Sequence, residues 1–282
     1  MITRDRPGTA RKDSPVAEQP NDWSSSIDTT RPSIARAYDV VLNGKDNFEV
    51  DRAFVAEIVK VVPEIYDVAT YNRQILGRGV RFLSSQGITQ FIDLGSGLPT
   101  VENTHQVAQR ANPESRVVYV DNDPMVLAHG RALLADNDGT AVVTSDLRQP
   151  KVILADPAVK RLIELDQPVG VLLVGILHHL HDDEDPRGIV EAYMSAVPSG
   201  SYVFITHFSA STQEARDAEQ KYLALLGTGR FRTPEEITAF FDGFELLEPG
   251  VVPLPLWRPD GPVPGELTVG QRLMYGGIAR KP

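Results

Sequence analysis

ITQFIDLGSGLPT (residues 88–100) reads as a buried strand that stops at a glycine turn. Its first half has the length and apolar, β-rich character of a strand covered on both faces. Gly95 and Gly97 then permit a tight turn and leave no Cβ between backbone and ligand. Taken alone, such a loop is also an ordinary strand-to-helix turn. The second apolar run, 117–120, delivers Asp121, 26 residues after Gly95, followed by Asn122, Asp123 and Pro124. A third, 141–144, delivers Asp146 and Leu147.

Working outward, further apolar runs at 169–176 and 202–206 complete five strands, separated by helical stretches near 101–111, 124–135, 156–164 and 185–197. This alternation predicts an α/β fold with a parallel sheet covered on both faces. Two more strands are expected near 244–252 and 271–279, joined by the Pro/Gly-rich segment 253–265. Upstream the pattern is helical throughout. Ser33 is a plausible N-cap, Ile34, Tyr38, Val41 and Leu42 share one face, and Asn43-Gly44 is a natural stop. A second helix is expected over 51–61. A third runs over 64–85, with an interruption allowed within it and Ile75, Val80 and Leu83 as its apolar stripe. Residues 1–30, polar and aperiodic apart from anchors such as Trp23 and Ile27, predict a disordered tail. The expected division is therefore a tail over 1–30, a helical cap over 31–87 and a Rossmann-like domain over 88–282.

Composition bounds the partners. Thirty-eight acids against 28 bases give a net charge of −10, which disfavours nucleic acid and anionic lipid surfaces. No apolar run approaches the roughly 20 residues needed to span a bilayer. MITRDRPGTARKDSP carries bases but no apolar h-region, so a cytoplasmic protein is expected. The chain has no cysteine, which excludes disulfides, thiolate ligands and a cysteine nucleophile.

In an open parallel sheet, ligands bind beyond the carboxyl ends of the strands. Asp121 there can accept from both ribose hydroxyls of an adenosine, while either Asp121 or Asp123 can cap the helix that Pro124 opens. Asp146 can accept from the adenine amine with Leu147 packed on the ring, or be a solvated turn residue. A dinucleotide needs the third glycine of G-x-G-x-x-G, and Thr100 stands there behind Pro99. S-adenosylmethionine has no phosphate and carries a sulfonium cation, which acidic strand ends suit. Asp93 is placed to act through water on its ammonium. The fourth strand ends in Leu177-His178-His179-Leu180-His181-Asp182-Asp183. Read as a strand, it points His178 and His179 to opposite faces, too poorly spaced for one metal ion, so no metal is expected. Either histidine can line the cofactor pocket or act as a base. His105 reads as a packed or capping residue.

PSIARAYDVVLNGKDNF (residues 32–48), Asn72-Arg73, QFIDLGSGLPT, VVYVDNDPMVLAHGRALL (117–134), SDLRQP (145–150) and PSGSYVFITHF (198–208) together resemble a bacterial family of S-adenosylmethionine-dependent methyltransferases first catalogued as a domain of unknown function. The resemblance implies the class I sheet, order 3-2-1-4-5-7-6 with strand seven antiparallel. It implies donor contacts from Gly95, Gly97, Asp121 and Asp146, to which the strand-end reading adds Asp93, Ser96, Asn122, Leu147 and His178. Tyr38, Asp39, Asn43, Lys45 and Asn47 fall in a cap signature expected to close over the site. Relatives often carry an aromatic or aliphatic residue at the position of His179, so a base role there is not implied. Together with Asn72, Arg73 and Trp257 of the proline-rich loop, the cap is expected to shape a pocket for a small-molecule methyl acceptor, while Trp257 reads more simply as an anchor of that loop. Two alternatives stay open from sequence: a donor-binding regulatory module without turnover, and a nicotinamide-dependent oxidoreductase, which the missing third glycine disfavours.

Overall fold

A computed structural model describes residues 27–100, 102–133, 137–263 and 265–282. Three helices precede the sheet. Ser33 caps α1 (Ile34–Val41), its Oγ accepting from the Arg36 N–H at 3.3 Å. The next helix, α2 (Glu49–Val59), begins two residues before the expected start because the buried Asp51 folds back on it. Its carboxylate accepts from the backbone N–H groups of Phe48 and Ser33 at 2.8 and 2.9 Å and pairs with Arg36 Nε at 2.8 Å. Then α3 (Ile65–Ser85) runs unbroken for 21 residues. Of the expected tail, residues 1–26, including Trp23, lie outside the described residues. Ile27 is docked, packed with Leu98, Met125 and Val126.

The sheet contains β1 (Gln90–Leu94), β2 (Arg116–Asp121), β3 (Thr140–Thr144), β4 (Gly170–Val174), β5 (Tyr202–Phe208), β6 (Glu245–Leu246), β7 (Val252–Pro253) and β8 (Met274–Arg280). The strand order is β3-β2-β1-β4-β5-β8-β6, with β7 also paired to β8. The first five strands are parallel and β8 is antiparallel to β5. This is the expected class I arrangement, with β8 as the predicted seventh strand. The predicted sixth strand is interrupted. Pro249 has no N–H to give a ladder, and the chain turns at Gly250, whose N–H donates to Leu247 O at 2.8 Å. Both pieces nevertheless pair with β8.

Strand side chains alternate between two cores, as the period of two requires. Phe91, Val117, Leu172 and Phe204 face the core beneath α3 and the other N-terminal helices, with Val107 of α4 (Thr104–Ala111). Ile92, Val118, Leu173 and Val203 face the opposite core, with Ile153 of α6 (Pro150–Ala155), Val159 of α7 (Pro157–Leu162) and Tyr193 of α8 (Pro186–Ser195). Both faces of the sheet are thus covered, which explains why its strands read as continuous apolar runs. Residues 207–243, which carry no expected strand or helix, hold α9 (Gln213–Leu226), capped by Thr212 and ended at Gly227, and α10 (Pro234–Thr238). Ala215, Ala218, Tyr222 and Leu226 form the inward stripe of α9. Among the described residues no helix is long and apolar enough to cross a membrane.

Candidate active site

The strand order reverses between β1 and β4, the switch point where ligands bind in open α/β sheets. A cavity of about 530 Å³ opens there. Its polar end is walled by Asp93, Gly95 to Gly97 and Asp121 to Asp123. It continues under the N-terminal helices to an apolar chamber walled by Tyr38, Phe54, Ile58, Phe208, Tyr222 and Leu226.

At the polar end the backbone of the glycine loop is left-handed, with φ of 70° at Gly95 and 68° at Gly97. A Cβ at Gly95 would lie 2.3 Å from Ile176 Cγ1, so the loop also needs the missing side chain for close packing. Asp121 Oδ2 accepts from the Gly97 N–H, and its Oδ1 from the Asp123 N–H, both at 2.9 Å. Of the two acids offered as helix caps, Asp123 takes that role, its Oδ1 accepting from the Met125 N–H in the first turn of α5 (Pro124–Leu133), while Asp121 lines the cavity. Asp93 is buried at the end of β1, where Thr104 Oγ1 donates to it at 2.6 Å. Burial pushes its carboxyl up to about 6, against the opposing pull of the Thr104 hydroxyl and of Arg73. Burial likewise raises the carboxyl of Asp121. Ser96 lines the same wall, and its Oγ is buried with no hydrogen-bond partner among the described residues.

Asp146 lies elsewhere. Its carboxylate takes Arg148 Nε at 2.9 Å to both oxygens, Arg148 in turn pairs with Glu184, and Asp146 does not line the cavity. Leu147 is buried in the second core, with its carbonyl accepting from the Tyr193 hydroxyl at 2.8 Å.

The histidines correct the strand reading of 177–179. These residues form a 3-10 turn, so both rings can reach one cavity instead of opposite faces. Their centroids are 4.3 Å apart. His179 Nδ1 pairs with the Thr228 hydroxyl at 3.1 Å. His178 is only 3 % exposed, and its Nδ1 has no partner among the described residues. Burial, reinforced by neighbouring His179, holds the His178 imidazole well below its usual pKa, and burial brings His179 down to about 3. Both are therefore neutral near pH 7. Arg232, buried itself, donates to Leu177 O at 3.3 Å and Leu180 O at 3.1 Å and pairs with Asp182 at 2.7 Å, fixing the turn from behind. His105 takes the expected packed role: its N–H donates to the Tyr119 hydroxyl at 2.8 Å, and its Nδ1 lies 2.7 Å from the same oxygen.

The cap signature divides in two. Tyr38, Asn72 and Arg73 line the cavity. Asn72 Nδ2 donates to the Tyr38 hydroxyl at 3.2 Å, and its Oδ1 accepts from Thr206 Oγ1 at 2.7 Å. Asn43, Lys45 and Asn47 do not line it. They belong to a turn wrapped around buried Asp39, whose Oδ2 accepts from the Asp46 N–H at 2.9 Å and Asn47 Nδ2 at 2.8 Å. Trp257 and the described residues of the 253–265 loop are also off the cavity. Trp257 is fully buried, stacked on Phe204 and edge-on to Phe82, and Arg78 holds its carbonyl at 3.0 Å. Of the two readings of Trp257, acceptor contact or anchor of the proline-rich loop, the packing matches the anchor.

The model of the S-adenosyl methyltransferase family matches residues 20–282. The chain belongs to that family. It resembles a candidate methyltransferase of Thermobifida fusca YX whose crystal structure shares 50 % identity and a TM-score of 0.88, covering 91 % of this chain and 97 % of that one. It also resembles a DUF574 family protein of Streptomyces avermitilis, with 37 % identity, a TM-score of 0.86 and coverage of 90 % and 99 %. No curated protein matches.

The donor of this methyltransferase is S-adenosylmethionine, and the polar end of the cavity suits it. The orphaned Ser96 Oγ offers a hydrogen bond, the open space beside Gly97 would be filled by any Cβ, and the carboxylates of Asp93 and Asp121 complement a cation. Sequence reasoning missed the other end. Phe54 and Ile58 of α2, and Tyr222 and Leu226 of α9, carry no motif, and Phe208 closes the 198–208 signature with no site role assigned to it. Helical spacing behind a Thr212 cap was the signal for Tyr222 and Leu226.

Proposed function

We propose that this methyltransferase transfers the donor methyl to a small-molecule acceptor held in the apolar chamber under the cap. What carries this reading is that one cavity joins the acid-and-glycine end of the sheet to that chamber. When bound, S-adenosylmethionine supplies an electrophilic methyl on a sulfonium. The protein's part is to orient both partners and exclude water, and direct displacement needs no covalent enzyme intermediate. Asp121 and the Gly95–Gly97 backbone hold the adenosine side, Asp93 and Ser96 the amino-acid side. Residues 31–87 serve as the cap, joined by α9, and 88–282 as the donor-binding domain. A volume of about 530 Å³ shared by donor and acceptor fits a small ligand, and the charge of −10 disfavours nucleic acid.

The test is calorimetric titration with S-adenosylmethionine, S-adenosylhomocysteine and NAD, followed by label transfer from methyl-labelled donor into metabolite and RNA fractions. Binding of the first two and label in small molecules is expected. Binding of NAD alone, or label in RNA alone, would refute the reading.

A further inference from the structure

The apolar end of the cavity differs sharply from the donor end. Its walls carry a series of rings: Phe54 meets Tyr222 edge-on at 5.1 Å, Phe208 lies 5.6 Å from Tyr222, and His178 lies 4.5 Å from Phe208. The acids and arginines on the cavity wall belong instead to the strand tips, to the start of the cap and to Arg73. A charged ligand group would lose its hydration in the ring-lined chamber without gaining a counter-ion. A flat aromatic ligand would instead gain ring contacts on several sides.

One polar atom on this surface is buried without a partner among the described residues. His178 is on the cavity wall, buried, with Nδ1 unpartnered among the described residues. A buried polar atom without a partner is rare and costly in native proteins. Its neighbours do not relieve it, since His179 is engaged with Thr228 and His207 with Arg232 and the Phe208 carbonyl. His178 also stands two residues after Ile176, which packs on Gly95, so it marks the junction between donor loop and chamber.

Resting on the methyl-transfer reading above, we propose that the acceptor is a neutral aromatic molecule bearing a hydroxyl, and that the His178 imidazole is the group that recognises this hydroxyl. A hydroxyl both donates and accepts, so it satisfies the imidazole in either tautomer. The low proton affinity that burial imposes on His178 keeps the imidazole uncharged, consistent with a neutral partner. His178 here is a specificity-determining contact.

The experiment titrates full-length protein, saturated with S-adenosylhomocysteine, with 2-naphthol, naphthalene and 2-naphthoate. The expected order is 2-naphthol about tenfold tighter than naphthalene, the worth of one hydrogen bond, with 2-naphthoate weakest. His178→Phe should bring naphthol and naphthalene together. His178→Asn, whose amide keeps a polar atom near the place of Nδ1, should retain the preference for naphthol. Carboxylate binding as tight as naphthol, absence of binding by all three probes, or an unchanged hydroxyl preference in folded His178→Phe would overturn the proposal while leaving donor binding intact. Failure of S-adenosylhomocysteine to bind in the first titration would instead overturn the methyltransferase reading and this proposal with it.

Discussion

The Ser33 hydroxyl donates to Asp123 Oδ2 at 2.7 Å, across 90 residues of sequence. One side chain therefore caps α1 and ties the helical cap to the end of β2, beside the carboxylate that orders the glycine loop. Ser33→Ala removes both bonds. We expect a loss of about 1–2 kcal/mol in urea unfolding. We also expect weaker binding of S-adenosylhomocysteine, because the cap is no longer anchored at the donor end. Unchanged stability and affinity would show the tether to be idle.

Asp121 acts on the donor end through two backbone hydrogen bonds, to Gly97 and Asp123. Asp121→Ala should lose charge-assisted bonds worth about 1.5–3 kcal/mol, or roughly one to two orders of magnitude in donor affinity. Asp121→Asn keeps an acceptor oxygen and should fall between the two. A folded Asp121→Ala protein with wild-type affinity in calorimetry would refute the assignment.

Asp93 predicts a pH dependence. Burial raises its folded pKa to about 6, above the ordinary aspartate range, so between about pH 4 and 6 the folded state holds more protons than the unfolded. The contribution of this group to stability therefore falls as pH rises through that window, and its burial cost is full above it. A cationic donor prefers the ionised carboxylate, so affinity should increase from pH 5 to 7 with proton release on binding. Burial of Asp121 acts in the same direction, so Asp93→Asn should flatten the profile in part. Affinity independent of pH in the wild type would contradict this account.

The cap turn separates structural from exposed residues. Asp39→Ala strips the acceptor from the Asp46 N–H and the Asn47 amide in a buried setting, and should cost about 2–3 kcal/mol. Gly44→Ala should also destabilise, since its Cβ would fall 1.9 Å from Asp39 Oδ1. Lys45 is exposed, and Lys45→Ala should change stability by less than about 0.5 kcal/mol. Thermal melts of the three variants give the comparison directly.

Arg232 is buried against the turn that carries His178 and His179. Arg232→Met leaves Asp182 without its inner partner and frees the Leu177 and Leu180 carbonyls. Breaking a buried pair from one side costs about 3–5 kcal/mol, and the exposure of Asp182 places the expected loss below that range. Donor affinity, set mainly at the strand tips, should fall less than stability does; the reverse ranking would tie Arg232 to the donor.

The fold was legible because its causes are local and periodic. Strands such as Phe91–Ile92 and Val117–Val118 alternate between two buried cores, and that double burial is written into the sequence as continuous apolar runs. Glycines and acids at strand ends were legible for the same reason: each follows its strand directly, so finding the strand finds the residue. The sixth strand resisted because Pro249 and Gly250 interrupt a run that is otherwise of strand character.

What tertiary structure decided was which polar residues face the cavity. Asp146 has the strand-tip position of a ligand contact, but Arg148 two residues later claims its carboxylate. Trp257 has the composition of a ligand platform, but the sheet and α3 bury it. Asn43, Lys45 and Asn47 read as a functional signature, while Asp39 makes their stretch a turn. His178 and His179 share one wall because 177–179 closes into a 3-10 turn, a choice helped by Arg232 some fifty residues away. The chamber itself is assembled from α1, α2 and α9, whose apolar stripes identify buried faces but not the faces they enclose. Sequence periodicity reports that a side chain leaves water; long-range packing decides whether it meets the core or a ligand.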